Sequence, residues 1–138
     1  MIVLDTNVLS ALMRESPDKK VVAWLDRQPQ TSIWTTAITV LEVHFGLQIL
    51  AHGKRRTLLM QAFGSLLEHM GQRVIAFDAV AANHAGDLMA ARQKNGRPVD
   101  LRDTMIAGIV LAHHATLATR NIGPFNDISA TVVNPWTA

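Results

Sequence analysis

The sequence predicts an α/β fold in which a mainly parallel, short-stranded sheet is flanked by helices on both faces. Apolar runs of strand length alternate with stretches of helical periodicity along the whole chain. The strand runs are almost continuous in Ile, Val and Leu, as strands covered on both faces are. No two of them are joined by a hairpin turn. The 138 residues suit a single domain, expected over 1–138, with room for a layered core.

Each element has its own reason. Met1–Asp5 reads as a buried strand ended by polar residues, and Val8, Leu9 and Leu12 then take helical spacing. After a turn at Ser16-Pro17, Val21, Val22 and Leu25 mark a second helix that ends near Pro29. Thr31–Thr35 is a short strand. Thr36 is placed to cap a helix with Val40, Leu41 and Leu47 on its inner side, and Gly53 is its expected stop. Leu58–His69 follows as a helix and Arg73–Phe77 as a strand. Asp78 caps an Ala-rich helix running to about Lys94, where Asn95-Gly96-Arg97-Pro98 breaks it. Asp100 opens a helix with Ile106, Ala107, Val110 and Leu111 as its buried stripe, and Thr116–Thr119 and Thr131–Val133 are the last strands.

Composition removes several classes of protein. A chain that is 49% hydrophobic and 17% charged is not disordered. Without cysteine there is neither a disulfide framework nor a thiolate metal site, so any metal must be held by oxygen or histidine. The longest strongly apolar stretch, Met105–Ala112, is far short of the roughly 20 residues that cross a bilayer. Asp5 and Asn7 interrupt the first apolar run, which argues against a signal peptide and for a cytoplasmic protein. The net charge of +2 is mildly basic. Lys54, Arg55 and Arg56 form one basic knot and Arg92, Lys94, Arg97 and Arg102 a looser one; solvated helix ends and nucleic-acid contacts explain each equally well.

The chemistry lies in the acids. Ligands of open α/β sheets bind beyond the carboxyl ends of the strands. Asp5 ends the first strand, Glu42 lies in AITVLEVHF one turn into the helix after the second, and Asp103 lies in VDLRDTMIAG at the third helical position after Asp100. Carboxylates brought together repel unless a proton or a cation intervenes. An oxygen-only set favours a hard ion such as Mg²⁺ or Mn²⁺, which can orient a phosphodiester and deliver hydroxide to it. Phosphodiester hydrolysis is the leading expectation.

Four stretches, IVLDTNVLSALM, TTAITVLEVHFGL, GRPVDLRDTMIAGIVLAHHATLATRN and VVNPW, together resemble the PIN-domain ribonucleases. The likeness is to the VapC toxins of type II toxin–antitoxin pairs, especially their FitB-like branch. It implies a Rossmann-like PIN domain, Mg²⁺- or Mn²⁺-dependent RNA cleavage and a homodimer. It also implies a VapB- or FitA-like antitoxin whose complex with the toxin binds operator DNA. On the matching positions it makes Asp5, Glu42 and Asp103 metal ligands, and Thr6 the small hydroxyl residue that orients the first acid. Where many members carry a fourth acid, ATRNIGPFND has Asn121 and Pro124. Asn121 offers an amide oxygen without charge, which favours one tightly held ion over two. Asp127, behind Pro124-Phe125, is not expected to be a ligand. Asn121 is also the one feature favouring a catalytically weak or inert partner of a DNA-binding complex.

The remaining polar residues divide similarly. Asn7 either contacts substrate or fixes the strand-to-helix turn, Asp100 serves either as an outer-shell ligand or, the favoured reading, as a helix cap, Asp78 is a cap, and Asp87 lies on a solvated face. His44, His52, His69 and His84 show no metal-ligand spacing, and His113 and His114 end a helix. Arg120 serves either a phosphate or an ordinary surface ion pair; Trp24, Trp34 and Trp136 suit a core or an interface. A phosphatase of the haloacid dehalogenase type needs an acid where Asn7 stands. A receiver domain needs a lysine after the last strand, where this chain reads Val132-Val133-Asn134-Pro135-Trp136.

Overall fold

The computed structural model describes residues 1–138. Strands β1 (Ile2–Leu4), β2 (Ile33–Thr36), β3 (Val74–Ile75), β4 (Thr116–Ala118) and β5 (Val132–Val133) form one sheet in the order β3-β2-β1-β4-β5. Every pairing is parallel, so the sheet is more uniform than the mainly parallel one expected. Six helices accompany it: α1 (Thr6–Met13), α2 (Lys19–Asp26), α3 (Ala37–Gln48), α4 (Lys54–His69), α5 (Ala79–Lys94) and α6 (Leu101–Ala112). The chain builds outward from β1 to β3, then crosses back to lay β4 on the other side of β1. That reversal opens a crevice at the carboxyl ends of β1 and β4.

Alternation along the strands produces a core on each face. Leu4, Ile33 and Ala118 join Val8, Leu9, Val43, Leu47 and Phe63 on the face of α1 to α4. Val3, Leu117 and Ile75 join Ala81, Ile106, Ile109, Val110 and Phe125 on the face of α5 and α6. Gly108 is where α5 and α6 meet: a Cβ there would lie 2.5 Å from the Ala81 carbonyl oxygen and 2.9 Å from the Ala85 methyl.

Several expected boundaries and faces move. Asp5 is not the last strand residue but the N-cap of α1, so the helix starts at Thr6 rather than near Val8. The second strand covers Ile33–Thr36, preceded by a 3₁₀ turn at Gln30–Ser32, and the third shrinks to Val74–Ile75. The last two strands stop at Ala118 and start at Val132. In α3, Val43 and Leu47 face inward and Val40 is half-buried, but Leu41 is 56% exposed, because it lies roughly 200° around the helix from Val43. Gly53 does not stop α3, which ends at Gln48; it precedes α4, whose first turn is Lys54, Arg55 and Arg56. In α6 the buried run is Ile106 to Val110, with Leu111 only half-buried. Thr36, Asp78 and Asp100 cap their helices as expected.

Candidate active site

Asp5 reaches the crevice because β1 ends one residue before it. It is 5% exposed, and both carboxylate oxygens are engaged: Oδ1 accepts the Thr6 N–H at 2.8 Å and Oδ2 accepts the Thr119 hydroxyl at 2.8 Å. Burial is the largest influence on this carboxyl and pushes its pKa up, while the two hydrogen bonds pull the other way.

Thr119 is a site residue that the motif reading passed over. It is fully buried just past β4, donates to Asp5, and accepts from Asn7 Nδ2 at 3.1 Å and from the Asn121 N–H at 3.2 Å. Asn7 Oδ1 in turn accepts the Arg120 N–H at 3.0 Å. Asn7 therefore ties the start of α1 to the exit of β4, beyond its own turn. The available signal was the threonine of ATRN, two residues before Asn121, closing a strand beside β1.

Thr6 has a different partner from the one expected. Its backbone N–H serves Asp5, but its hydroxyl donates to Glu42 Oε1 at 2.9 Å and lies 3.2 Å from Thr39 Oγ1. Thr39 is fixed by the cap of α3, where Thr36 Oγ1 accepts its N–H at 3.1 Å. The other Glu42 oxygen faces Arg102 Nη1 at 3.8 Å. Asp103 sits half-buried in the first turn of α6. Its pKa is pushed up to about 6, first by desolvation and then by the charges of Asp5, Asp100 and Glu42, with Arg102 offsetting part of the effect. The three acids thus share one electrostatic field without closing into a ready three-ligand shell. Asn121 is exposed, and its amide bonds to none of them.

The remaining charges sort clearly. Asp127 is bound by Arg92, 3% exposed, through Nε at 2.9 Å and Nη2 at 2.8 Å, with Arg97 at 3.3 Å. The Arg92 hydrogen bond is the largest cause holding this carboxyl below its usual range. Arg92 also donates to Thr104 Oγ1 and to the Pro124 carbonyl. The looser basic cluster is therefore mostly spent: Arg92 and Arg97 on Asp127, Arg102 on Glu42 and Asp100. Arg120 has no surface ion pair; its guanidinium lies 4.9 Å over the Trp136 ring. Trp24 is buried in the core.

A family model described as PIN domain matches residues 2–130. VapC ribonuclease Y4jK of Sinorhizobium fredii is 40% identical over 137 residues, covering 99% of this chain and 98% of that protein. Toxin FitB of Neisseria gonorrhoeae is 34% identical over 137 residues, covering 99% of each. The solved structure of FitAB bound to an IR36 DNA fragment matches with a TM-score of 0.89 at 34% identity, covering 99% of this chain and 96% of that one. The parallel sheet, the acids gathered at its carboxyl edge and these full-length likenesses agree: the chain belongs to the PIN-domain family, among relatives named VapC ribonuclease and toxin FitB.

Proposed function

We propose that this chain is a divalent-metal-dependent endoribonuclease and the toxin of a type II toxin–antitoxin pair. The observation that carries the reading is the set of a buried Asp5 and the half-buried Glu42 and Asp103 at the sheet edge, where the charges of the first two act on Asp103 and are offset only by a half-exposed Arg102.

The donor set fits a hard cation. All its atoms are carboxylate oxygens, and an ion there would offset both the desolvation and the neighbouring charges that lift Asp103. Asp5, Glu42 and Asp103 would hold Mg²⁺ or Mn²⁺, and three formal charges suit one tightly held ion. When bound, the ion supplies Lewis-acid polarisation of the scissile phosphodiester and a lowered water pKa. The protein's part is positioning. Thr119 and the Thr6 N–H fix both oxygens of Asp5, the Thr6 hydroxyl fixes Glu42, and the start of α6 presents Asp103. Asn121 contributes a neutral amide at the same edge for water or substrate.

RNA as substrate is supported by the VapC relative, which is named a ribonuclease. A VapB- or FitA-like antitoxin and a DNA-bound complex are supported by the solved FitAB assembly on a DNA fragment, and the family resemblance adds a homodimer whose complex reads operator DNA. No helix is long and apolar enough to cross a membrane, and a cytoplasmic place of action follows from the proposed RNA substrate and DNA-bound complex.

The test is cleavage of a mixed RNA pool by wild type, Asp5→Asn and Asp103→Asn protein with Mg²⁺, Mn²⁺ or EDTA. Metal-dependent cutting lost in both variants is expected. Cutting that survives EDTA or Asp103→Asn refutes the assignment, as does inertness of folded, antitoxin-free wild type under both metals.

A further inference from the structure

The arginines that contact the acids are already committed: Arg102 faces Glu42 and Asp100, and Arg92 and Arg97 bind Asp127. Arg120 differs from all three. It follows Thr119, whose hydroxyl holds Asp5, and its N–H is fixed to Asn7 Oδ1 at 3.0 Å. Its backbone is therefore anchored in the hydrogen-bond network of the site. Its side chain is exposed, forms no ion pair and is not among the charges acting on Asp5 or Asp103, so it is not their counter-ion.

The guanidinium rests on Trp136, with Cζ 4.9 Å from the ring centroid. That platform is itself held. Trp136 Nε1 donates to Asp18 Oδ2 at 3.2 Å, its N–H donates to Asn134 Oδ1 at 2.9 Å, and the ring packs against the core cluster of Val21 and Trp24. A guanidinium stacked on an aromatic ring keeps its edge N–H groups free, and its planar fork matches the oxygens of a phosphate. Stacking also reduces the side-chain freedom that a ligand would otherwise have to freeze.

We propose that Arg120, stacked on Trp136, binds an RNA backbone phosphate beside the scissile bond. The inference rests on the ribonuclease reading above. It gives the strand a cationic seat one residue beyond Thr119, whose hydroxyl holds Asp5, where the carboxylates alone would repel it. The competing role is mechanical, a contact that merely pins the C-terminal segment.

Fluorescence anisotropy of a labelled single-stranded RNA, measured across a salt series in the cleavage-deficient Asp103→Asn background, separates the two. Arg120→Met keeps a long apolar stem to pack on Trp136 and removes the charge. It should weaken binding roughly tenfold at about 0.1 M salt and reduce the salt slope by about 0.7, with the thermal midpoint unchanged. Arg120→Lys should restore the slope without the full affinity. In the active chain, Arg120→Met should raise KM and leave kcat within about twofold. Unchanged RNA affinity in Arg120→Met, or a loss that tracks a lowered midpoint with the same salt slope, overturns the inference alone. Failure of the Asp103→Asn parent itself to bind RNA overturns the ribonuclease reading, and this inference with it.

Discussion

Arg92→Met isolates the strongest polar contact outside the site. Methionine keeps most of the length while deleting a 3%-exposed guanidinium that donates to both oxygens of Asp127, to Thr104 and to the Pro124 carbonyl. Removing one partner of a buried ion pair costs roughly 3–5 kcal/mol. Here Asp127 is 27% exposed and keeps Arg97 at 3.3 Å, while the Thr104 hydroxyl still donates to the Asp100 carbonyl at 3.1 Å. The cost should therefore fall to about 2–4 kcal/mol, or roughly 6–12 °C in Tm for a chain of this size. Urea unfolding followed by tryptophan fluorescence measures it, and a cycle with Asp127→Leu should show a coupling of at least about 1 kcal/mol. The pH dependence has a definite sign. Asp127 is held below its usual range when folded, so the pair stabilises the protein above the unfolded carboxyl value near 4, and that stabilisation is lost as pH falls through the folded value. Wild type should lose stability in acid more steeply than Arg92→Met. A cost below about 1 kcal/mol, or strict additivity with Asp127→Leu, would refute the reasoning.

Asp103, raised to about 6, has the opposite sign: its contribution to the stability of the metal-free protein is fully present below the unfolded value near 4 and is lost as pH rises through 6. Asp103→Asn should remove this dependence and raise metal-free stability at pH 7 by about 1 kcal/mol, a figure already reduced for solvent screening; differential scanning calorimetry in EDTA reads it. Thr119→Val deletes the hydroxyl bound to Asp5 and leaves Asn7 Nδ2 without its acceptor. Cleavage should fall roughly 10–100-fold with the circular dichroism spectrum unchanged, and wild-type kinetics would contradict the positioning role. Gly108→Ala drives a methyl to within 2.5 Å of the Ala81 carbonyl oxygen. It should destabilise the protein by about 1–3 kcal/mol, with a urea midpoint equal to wild type as the contrary outcome.

The acids were legible because each stands where periodicity fails, a charge inside an apolar run next to a strand end or a helix start. Caps were legible for the same local reason: Thr36, Asp78 and Asp100 precede clear helical stretches and bond to the N–H groups just after them. The start of α4 was not, because Lys54, Arg55 and Arg56 occupy a first turn where the helix dipole disfavours cations. Leu41 misled because composition marks a residue as apolar without saying which side of the helix it takes. Thr119 stayed hidden because its partners, Asn7 and Asp5, lie 112 and 114 residues away, and only the β1–β4 pairing joins them. Arg92 read as part of a basic patch, although its partner Asp127 is 35 residues on.

That same β1–β4 pairing governs when the site comes into being during synthesis. Asp5 is translated 114 residues before Thr119, and the Asp5 N–H closes onto the Ala118 carbonyl at 2.9 Å. A nascent chain that has not yet released β4 has Asp5 without its hydroxyl donor and the crevice without one wall. Asp103 and its helix also arrive late. Under the proposed activity, the nuclease site is incomplete until β4 has paired with β1. The interval in which a partner must reach it therefore begins when that pairing closes.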